Sequence, residues 1–306
     1  MTTHFPYDPT GRRFTVQHGN TTAEISQVGG ALRAFTVDGF DYVPRYPDRS
    51  PTPAAAGIVL VPWPNRVRDG KWTRDGVTRQ LAITEPQTGN ASHGLLRFVG
   101  YRPAVYTEHT VTLTADVYPQ TGYPFYLATE VTYTVTDGAL AVTHRVLNLG
   151  DMPAPVALGT HPYFCIGGVP TGELTVQLDA ATRFLLDERK LPVDEVPVDD
   201  TTDLRTPRPV GELDLDTAYG TVARDGAGNA HAVLTAPDGR SLDLWAGPGF
   251  DYLQVFTTDR FPGQDVAIAI EPMTAPPDAL NSGTGIRMLE PGEEWLLHWG
   301  VITRAD

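Results

Sequence analysis

The chain carries a single cysteine, Cys165, and therefore cannot build an internal disulfide framework. That scarcity fits a reducing compartment, and Cys165 itself reads as a small buried hydrophobe. No stretch approaches the roughly 18 consecutive apolar residues of a membrane-spanning helix. The amino terminus, Met1 to Tyr7, lacks the basic region and apolar run of a secretory leader. Positive charge is also scarce: 23 Lys and Arg stand against 37 Asp and Glu, a net charge of −14. Nucleic acid and anionic membrane surfaces would be repelled, so neither is expected as a partner. Internal repeats, heptads and low-complexity tracts are absent. The expectation is a soluble, cytoplasmic protein.

Long helices have little room among 30 glycines and 27 prolines. What recurs is a period of two. Val111 to Val117 and Glu130 to Thr136 alternate apolar and polar residues. Leu140, Val142, His144 and Val146 share one face of a third segment, and Leu174, Val176 and Leu178 one face of a fourth. Further strands are predicted at Ser241–Trp245, Tyr252–Thr257, Val266–Glu271 and Trp295–Ile302. Asp-Gly dipeptides at 38–39, 69–70, 75–76, 137–138, 225–226 and 238–239 supply the positive φ angles of tight hairpins, most clearly at Thr136-Asp137-Gly138-Ala139. Short helical turns are expected around Ala54–Gly57 or Arg183–Leu191, and Val193–Arg208 reads as a long acidic surface loop. Patterning resumes on both sides of that loop without a change of character. The prediction is an all-β protein, a large antiparallel β-sandwich in one domain over residues 1–306 with a cleft on one sheet.

Chemistry concentrates in a few places. In Leu158-Gly159-Thr160-His161-Pro162-Tyr163-Phe164, Pro162 biases His161 toward extended backbone, and Tyr163 and Phe164 can wall in an imidazole that titrates near neutrality. Pro62-Trp63-Pro64-Asn65-Arg66 sets an aromatic face beside a forked donor, a platform for a ligand with apolar and polar surfaces, or else an exposed turn. Ser92-His93-Gly94 puts a histidine in a turn whose glycine allows close backbone approach. Asp214 and Asp216 fall in a segment of alternating acids and leucines. On the strand Val266–Glu271, Val266, Ile268 and Ile270 point to one face, and Ala267, Ala269 and Glu271 to the other. A carboxylate on an alanine-lined face leaves volume for a ligand in front of it.

In order along the chain, Asn65-Arg66, His93-Gly94, His161-Pro162-Tyr163-Phe164, Asp216-Thr217-Ala218-Tyr219, Gln254, and Glu271 with Pro277-Asp278-Ala279 resemble the aldose 1-epimerases of the galactose mutarotase type. The resemblance spans roughly residues 20–302. It implies the large β-supersandwich of that family and the interconversion of α and β anomers of an aldose. It further implies Glu271 as general base, His161 as general acid, and His93, Asp216, Arg66 and Gln254 as holders of sugar hydroxyls. Asn65, Trp63 and Tyr163 complete the expected binding surface. The sequence departs from the family pattern at Leu95-Leu96 after His93-Gly94 and at Glu271-Pro272-Met273, which leaves the identity of the aldose open. Whether Asp214 or Asp251 replaces Asp216 at the sugar is open as well.

Anomer interconversion needs one group to take the C1 hydroxyl proton and another to protonate the ring oxygen. Only protons move, so no cofactor or metal is expected, and the partner is a monosaccharide. Neighbouring Asp216 and Glu271 are expected to favour protonated His161. Two other classes compete. A non-catalytic carbohydrate-binding protein would use Trp63, Tyr163, Arg66 and Gln254 but needs no base. A metal-dependent sugar isomerase would ligate a metal with the same His, Asp and Glu set, yet the chain lacks the short His spacings that mark such sites. A glycoside hydrolase could pair Asp216 with Glu271 but would leave His161 without a role.

Overall fold

Residues 8–305 are described by the computed structural model; the leader question at Met1 to Tyr7 lies outside the described residues. Nearly all regular structure is antiparallel strand. One sheet has nine strands, in the order Arg102–Tyr106, Thr110–Val117, Leu127–Thr136, Ala139–Asn148, Glu294–Arg304, Ser241–Ala246, Ala230–Thr235, Thr175–Leu178 and Arg208–Pro209. A second, of eight, runs Pro192–Pro197, Ala180–Leu186, Asp216–Val222, Tyr252–Thr258, Ala267–Met273, Gly159–Thr160 and Val59–Leu60, with Tyr163–Phe164 also paired to Ala267–Met273. Four further strands between Arg13 and Asp41 form a third sheet.

The alternation dictates the packing. Val131, Tyr133 and Val135 turn inward from one strand, and Leu140, Val142 and Val146 from its hairpin partner. They meet Leu253, Val255, Ile268 and Ile270 of the second sheet and Phe14, Ile25 and Phe35 of the third in one continuous apolar core. Every segment predicted from period two is a strand within a residue or three of the expected bounds.

The Asp-Gly dipeptides behave differently from one another. The pair at 69–70 lies in a tight turn over Arg68–Gly70, at 225–226 neither residue has positive φ, and the pair at 238–239 sits in a longer loop between Thr235 and Ser241. None of these three closes a two-residue hairpin. At 38–39 and 75–76 both residues have positive φ and close two-residue hairpins. At 137–138 the hairpin closes with Thr136 opposite Ala139, but only Gly138 has positive φ. Two expectations are corrected. Arg183–Leu191 is not helical, since Ala180–Leu186 is a strand, and Val193–Arg208 begins as its partner Pro192–Pro197, with Thr182 opposite Pro197. This hairpin sits at the edge of the second sheet, where acids and prolines blunt an exposed ladder and erase the apolar alternation that marks buried strands. A tight turn does occupy Pro53–Ala55, near the expected Ala54–Gly57, but Ala54 and Ala55 have positive φ, so it is not a right-handed helical turn. Among the described residues no helix is long and apolar enough to cross a membrane.

Ile270 is fully buried on the core face of the strand that carries Glu271. Ile270→Ala should cost about 2–5 kcal/mol of unfolding free energy, read from urea denaturation, because the surrounding sheets cannot close the gap.

Candidate active site

Register places the polar residues. Gln254 is directly opposite Glu271, and Ala218 opposite Gln254, so these three form one row across the second sheet. Asp216, Phe256, Ala269 and Tyr163 form the next row. Residues two apart share a face. Both rows therefore lie on the side of the sheet opposite Leu253, Val255, Ile268 and Ile270, which are committed to the core. His161, two residues before Tyr163, arrives beside them. Its N–H donates to the Ile58 carbonyl at 3.1 Å and its carbonyl accepts from Gly57 at 2.8 Å, so its backbone is fixed on both sides.

The imidazole Nε2 lies 3.2 Å from Glu271 Oε1, and both side chains are almost fully buried. Tyr163 stacks on the His161 ring at 5.3 Å between centroids, and His93 meets its edge at 5.4 Å. Burial pushes His161 down to about 3 and holds Glu271 well above the usual carboxylate range, the latter with help from the Asp216 charge. The expectation of a protonated His161 is thus corrected. Burial disfavours the charged form of each group, so the pair favours its uncharged arrangement, a carboxylic acid beside a neutral imidazole. Glu271 Oε2, His161 Nδ1 and His93 Nδ1 are buried without a hydrogen-bond partner among the described residues. Three such atoms in one cluster mark a place where a polar ligand completes the bonding.

Arg66 and His93 are brought together by a two-residue ladder in which Arg66 is opposite Ser92. Asn65 and His93 have positive φ, and the His93 N–H donates to the Asn65 carbonyl at 2.9 Å. Gly94 follows with φ of 71°, and a Cβ there would lie 2.1 Å from the Val61 carbonyl oxygen, so no other residue fits. Burial also pushes His93 well below its ordinary value, and the charges of Arg97 and Arg66 act in the same direction. The His93 ring is therefore neutral.

Arg66 is a forked donor, but its fork is turned to Glu85: Nε to Oε2 at 2.7 Å and Nη2 to Oε1 at 3.0 Å. Its remaining Nη1 lies 3.5 Å from Asp216 Oδ2. Burial opposes the Arg66 charge, yet Glu85 and Asp216 outweigh it and raise the guanidinium above its usual range. Gln254 Nε2 donates to Asp216 Oδ1 at 2.7 Å, and Asn65 Nδ2 lies 3.5 Å from Gln254 Oε1. Asp278 closes the outer side, accepting from the Arg68 N–H at 2.9 Å while its own N–H donates to the Arg66 carbonyl at 2.7 Å.

Of the nine residues expected at the site, His161, Glu271, His93, Arg66, Asp216, Gln254 and Asn65 converge. Tyr163 is present as the wall behind His161, with its ring among Tyr46, Phe261, Ala267 and Ala269. Trp63 is a correction: its indole is buried in the main core, tilted against Tyr123 at 6.4 Å, and offers no exposed platform. The alanine face is corrected too, since the rings of Tyr46, Tyr163, Phe256 and Phe261 fill the space before Ala267 and Ala269. Asp214 is exposed, and Asp251 pairs with Arg224 at 2.7 Å, so Asp216 is the acid of the cluster. Sequence reasoning missed Glu85 and Arg97. Glu85-Pro86 looks like any solvated turn, and Arg97 gives no pattern beyond standing four residues after His93.

The aldose 1-epimerase family profile matches residues 12–300. The chain belongs to the aldose 1-epimerase family. Over 298 residues it is 31% identical to the uncharacterized protein YihR of Escherichia coli K12, covering 95% of this chain and 93% of that one. It is 29% identical over 266 residues to the galactose mutarotase of Pongo abelii, covering 78% and 76% of the two chains. Two solved structures share the fold. One is the GalM/aldose epimerase homologue of C. elegans, with a TM-score of 0.84, 18% identity and coverage of 96% and 98%. The other is a putative aldose 1-epimerase of Escherichia coli K12, with a TM-score of 0.82, 20% identity and coverage of 96% and 99%.

Gly94→Ala should displace the His93 turn. A stability loss above the ~1 kcal/mol of an ordinary positive-φ substitution is expected in thermal or urea unfolding, because steric overlap with the Val61 carbonyl adds to backbone strain.

Proposed function

We propose that this protein is a mutarotase, interconverting the α and β anomers of an aldose with Glu271 as base and His161 as acid. The observation that carries the reading is the 3.2 Å contact between two buried titratable groups, beside side chains suited to hydroxyls. The aldose enters between Glu271 and the Arg66–Asp216–Gln254 group, and the Glu271 proton passes to His161. Glu271, now ionised, removes the C1 hydroxyl proton while His161 protonates the ring oxygen. The C1–O5 bond breaks, C1 becomes an aldehyde, and rotation about C1–C2 exposes its other face. Closure runs the same transfers backward, returning both protons, so the chemistry balances without a redox partner. Neutral His93, with Asn65 and Arg66, donates to or accepts from ring hydroxyls.

The site draws on residues from Asn65 to Asp278, which supports a single functional unit over the whole chain. Among the described residues no cluster of three or more His, Cys, Asp or Glu side chains is arranged to hold a metal ion. The single cysteine and the acidic charge support a cytoplasmic place of action on a monosaccharide, away from nucleic acid and membrane.

Glu271→Gln keeps shape but cannot accept the proton, and His161→Gln cannot supply one. Each should lower the mutarotation rate of fresh α-anomers, followed by polarimetry, by two or more orders of magnitude. Sugar binding by calorimetry should change far less; a wild-type rate in Glu271→Gln would remove Glu271 as the base, and a wild-type protein that binds sugar without speeding mutarotation would be a binding protein. Activity should survive EDTA, and loss restored by a divalent ion would bring back the metal reading.

The pH profile of kcat/KM should be bell-shaped, with limbs assigned by the pair. Below the active range the pair gains a second proton; His161 becomes charged while Glu271 stays neutral, and the base is lost. Because burial holds His161 down to about 3, this acid limb lies far below the ordinary imidazole range. Above the range the carboxyl proton leaves, Glu271 ionises beside a neutral His161, and the acid is lost. That alkaline limb lies above the ordinary carboxylate range, where burial has raised Glu271.

A further inference from the structure

The edge hairpin of Ala180–Leu186 and Pro192–Pro197 ends in a turn, Asp187-Glu188-Arg189-Lys190-Leu191, that reaches the active site from the side. The turn is tightly wired. Asp187 Oδ1 accepts from the N–H groups of Arg189 and Leu191 at 2.8 and 3.0 Å, and the Asp187 N–H donates to the Leu191 carbonyl at 2.8 Å. Leu191 is fully buried at its base.

Arg189 then anchors the tip to the loop that holds Glu85. Its Nε donates to the Thr88 carbonyl at 2.9 Å, and its Nη2 lies 2.7 Å from Asp69 Oδ1, 3.2 Å from the Gly89 carbonyl and 3.2 Å from Asn90 Oδ1. Asn90 Nδ2 returns a bond to the Arg189 carbonyl at 3.1 Å. Thr88 Oγ1 donates to Glu85 Oε2 at 2.7 Å, so the same loop fixes the partner of Arg66. Held between these anchors, Lys190 has a φ of 61°, a conformation unfavourable for a residue with a Cβ. Backbone strain of this kind persists only where surrounding contacts over-determine it.

The result is that Lys190 Nζ stands 3.9 Å from Asp216 Oδ2, close enough to feel the charge but too far for a hydrogen bond. Asp216 Oδ1 is taken by Gln254, while Oδ2 faces two cations, Lys190 and, at 3.5 Å, Arg66. We infer that Lys190 is a substrate-contacting specificity residue, its ammonium donating to the same sugar hydroxyl whose proton Asp216 accepts, with Arg189 as the residue that positions it. A hydroxyl is both donor and acceptor, and a cation beside a carboxylate satisfies both halves at once. This rests on the aldose reading of the site and adds a contact from outside the rows of the second sheet.

The test uses the full chain with D-galactose, D-glucose and their monodeoxy analogues in polarimetry. Lys190→Met should raise KM by about tenfold or more, as loss of a charged donor does, with kcat within about twofold. In the wild type one deoxy position should carry a comparable KM penalty, and Lys190→Met should erase that penalty while leaving the other positions alone. Lys190→Arg should keep part of the preference. Arg189→Met should shift KM in the same direction, and the double variant should be no worse than Lys190→Met, which a merely structural role for Arg189 would not produce. Lys190 is half exposed, and circular dichroism and melting of each variant separate misfolding from lost contact. A Lys190→Met protein with wild-type KM and an unchanged deoxy profile would overturn the inference while leaving mutarotation intact. If the wild type turns over no aldose, the catalytic reading fails; calorimetry with the same sugars then decides, a tenfold binding loss in Lys190→Met supporting the contact. Equal binding in the two proteins, or none in either, would overturn it.

Discussion

Everything at the site follows from the way Tyr252–Thr258 is locked against Ala267–Met273. Val255 is opposite Ile270 and both are buried in the core, so Gln254 and Glu271 have no choice but the other face. A slip of one residue would drive the carboxylate into hydrocarbon and expose the isoleucines, a loss that neither sheet tolerates. The hydrophobic core therefore does more than hold the sheets together. It aims the polar row with the accuracy of a strand ladder, and the loops bearing His93, Arg66 and His161 are then fitted to that row.

Electrostatics at the site is arranged as one neutral pair and one charged chain. The neutral pair is His161 with Glu271, both buried and each held toward its uncharged form. The chain runs from Glu85 through Arg66 to Asp216 and on to Gln254, where each charge has an opposite or a donor beside it. Paired charges can be buried at moderate cost, whereas a lone one cannot. Glu85 thus has a part in the site although nothing suggests that it meets a ligand. Its carboxylate keeps a buried guanidinium oriented and leaves only one nitrogen of Arg66 free to serve Asp216.

Much of this was legible in the chain. Period-two alternation located the strands because a half-buried strand must show its core face in every second residue. The pattern failed at Arg183–Leu191 and Val193–Arg208, where the hairpin lies at a sheet edge and is selected for charge and proline, not for an apolar face. Resemblance in the motifs at Asn65-Arg66, His93-Gly94, His161, Asp216, Gln254 and Glu271 named a set of side chains that do converge. It could not tell that Trp63 would turn into the core, because a Trp between two prolines has the same letters whichever side of the chain is covered.

By itself, then, the sequence determined the sheet architecture, the family and the face on which Glu271 stands, since these depend on spacing along single strands and on motif order. Only the tertiary structure decided the protonation of His161, the pairing of Arg66 with Glu85, and the approach of Lys190 to Asp216. The reason is that each depends on distance and water exclusion between segments far apart in the chain. Burial sets a pKa, and burial is a property of everything packed around a group.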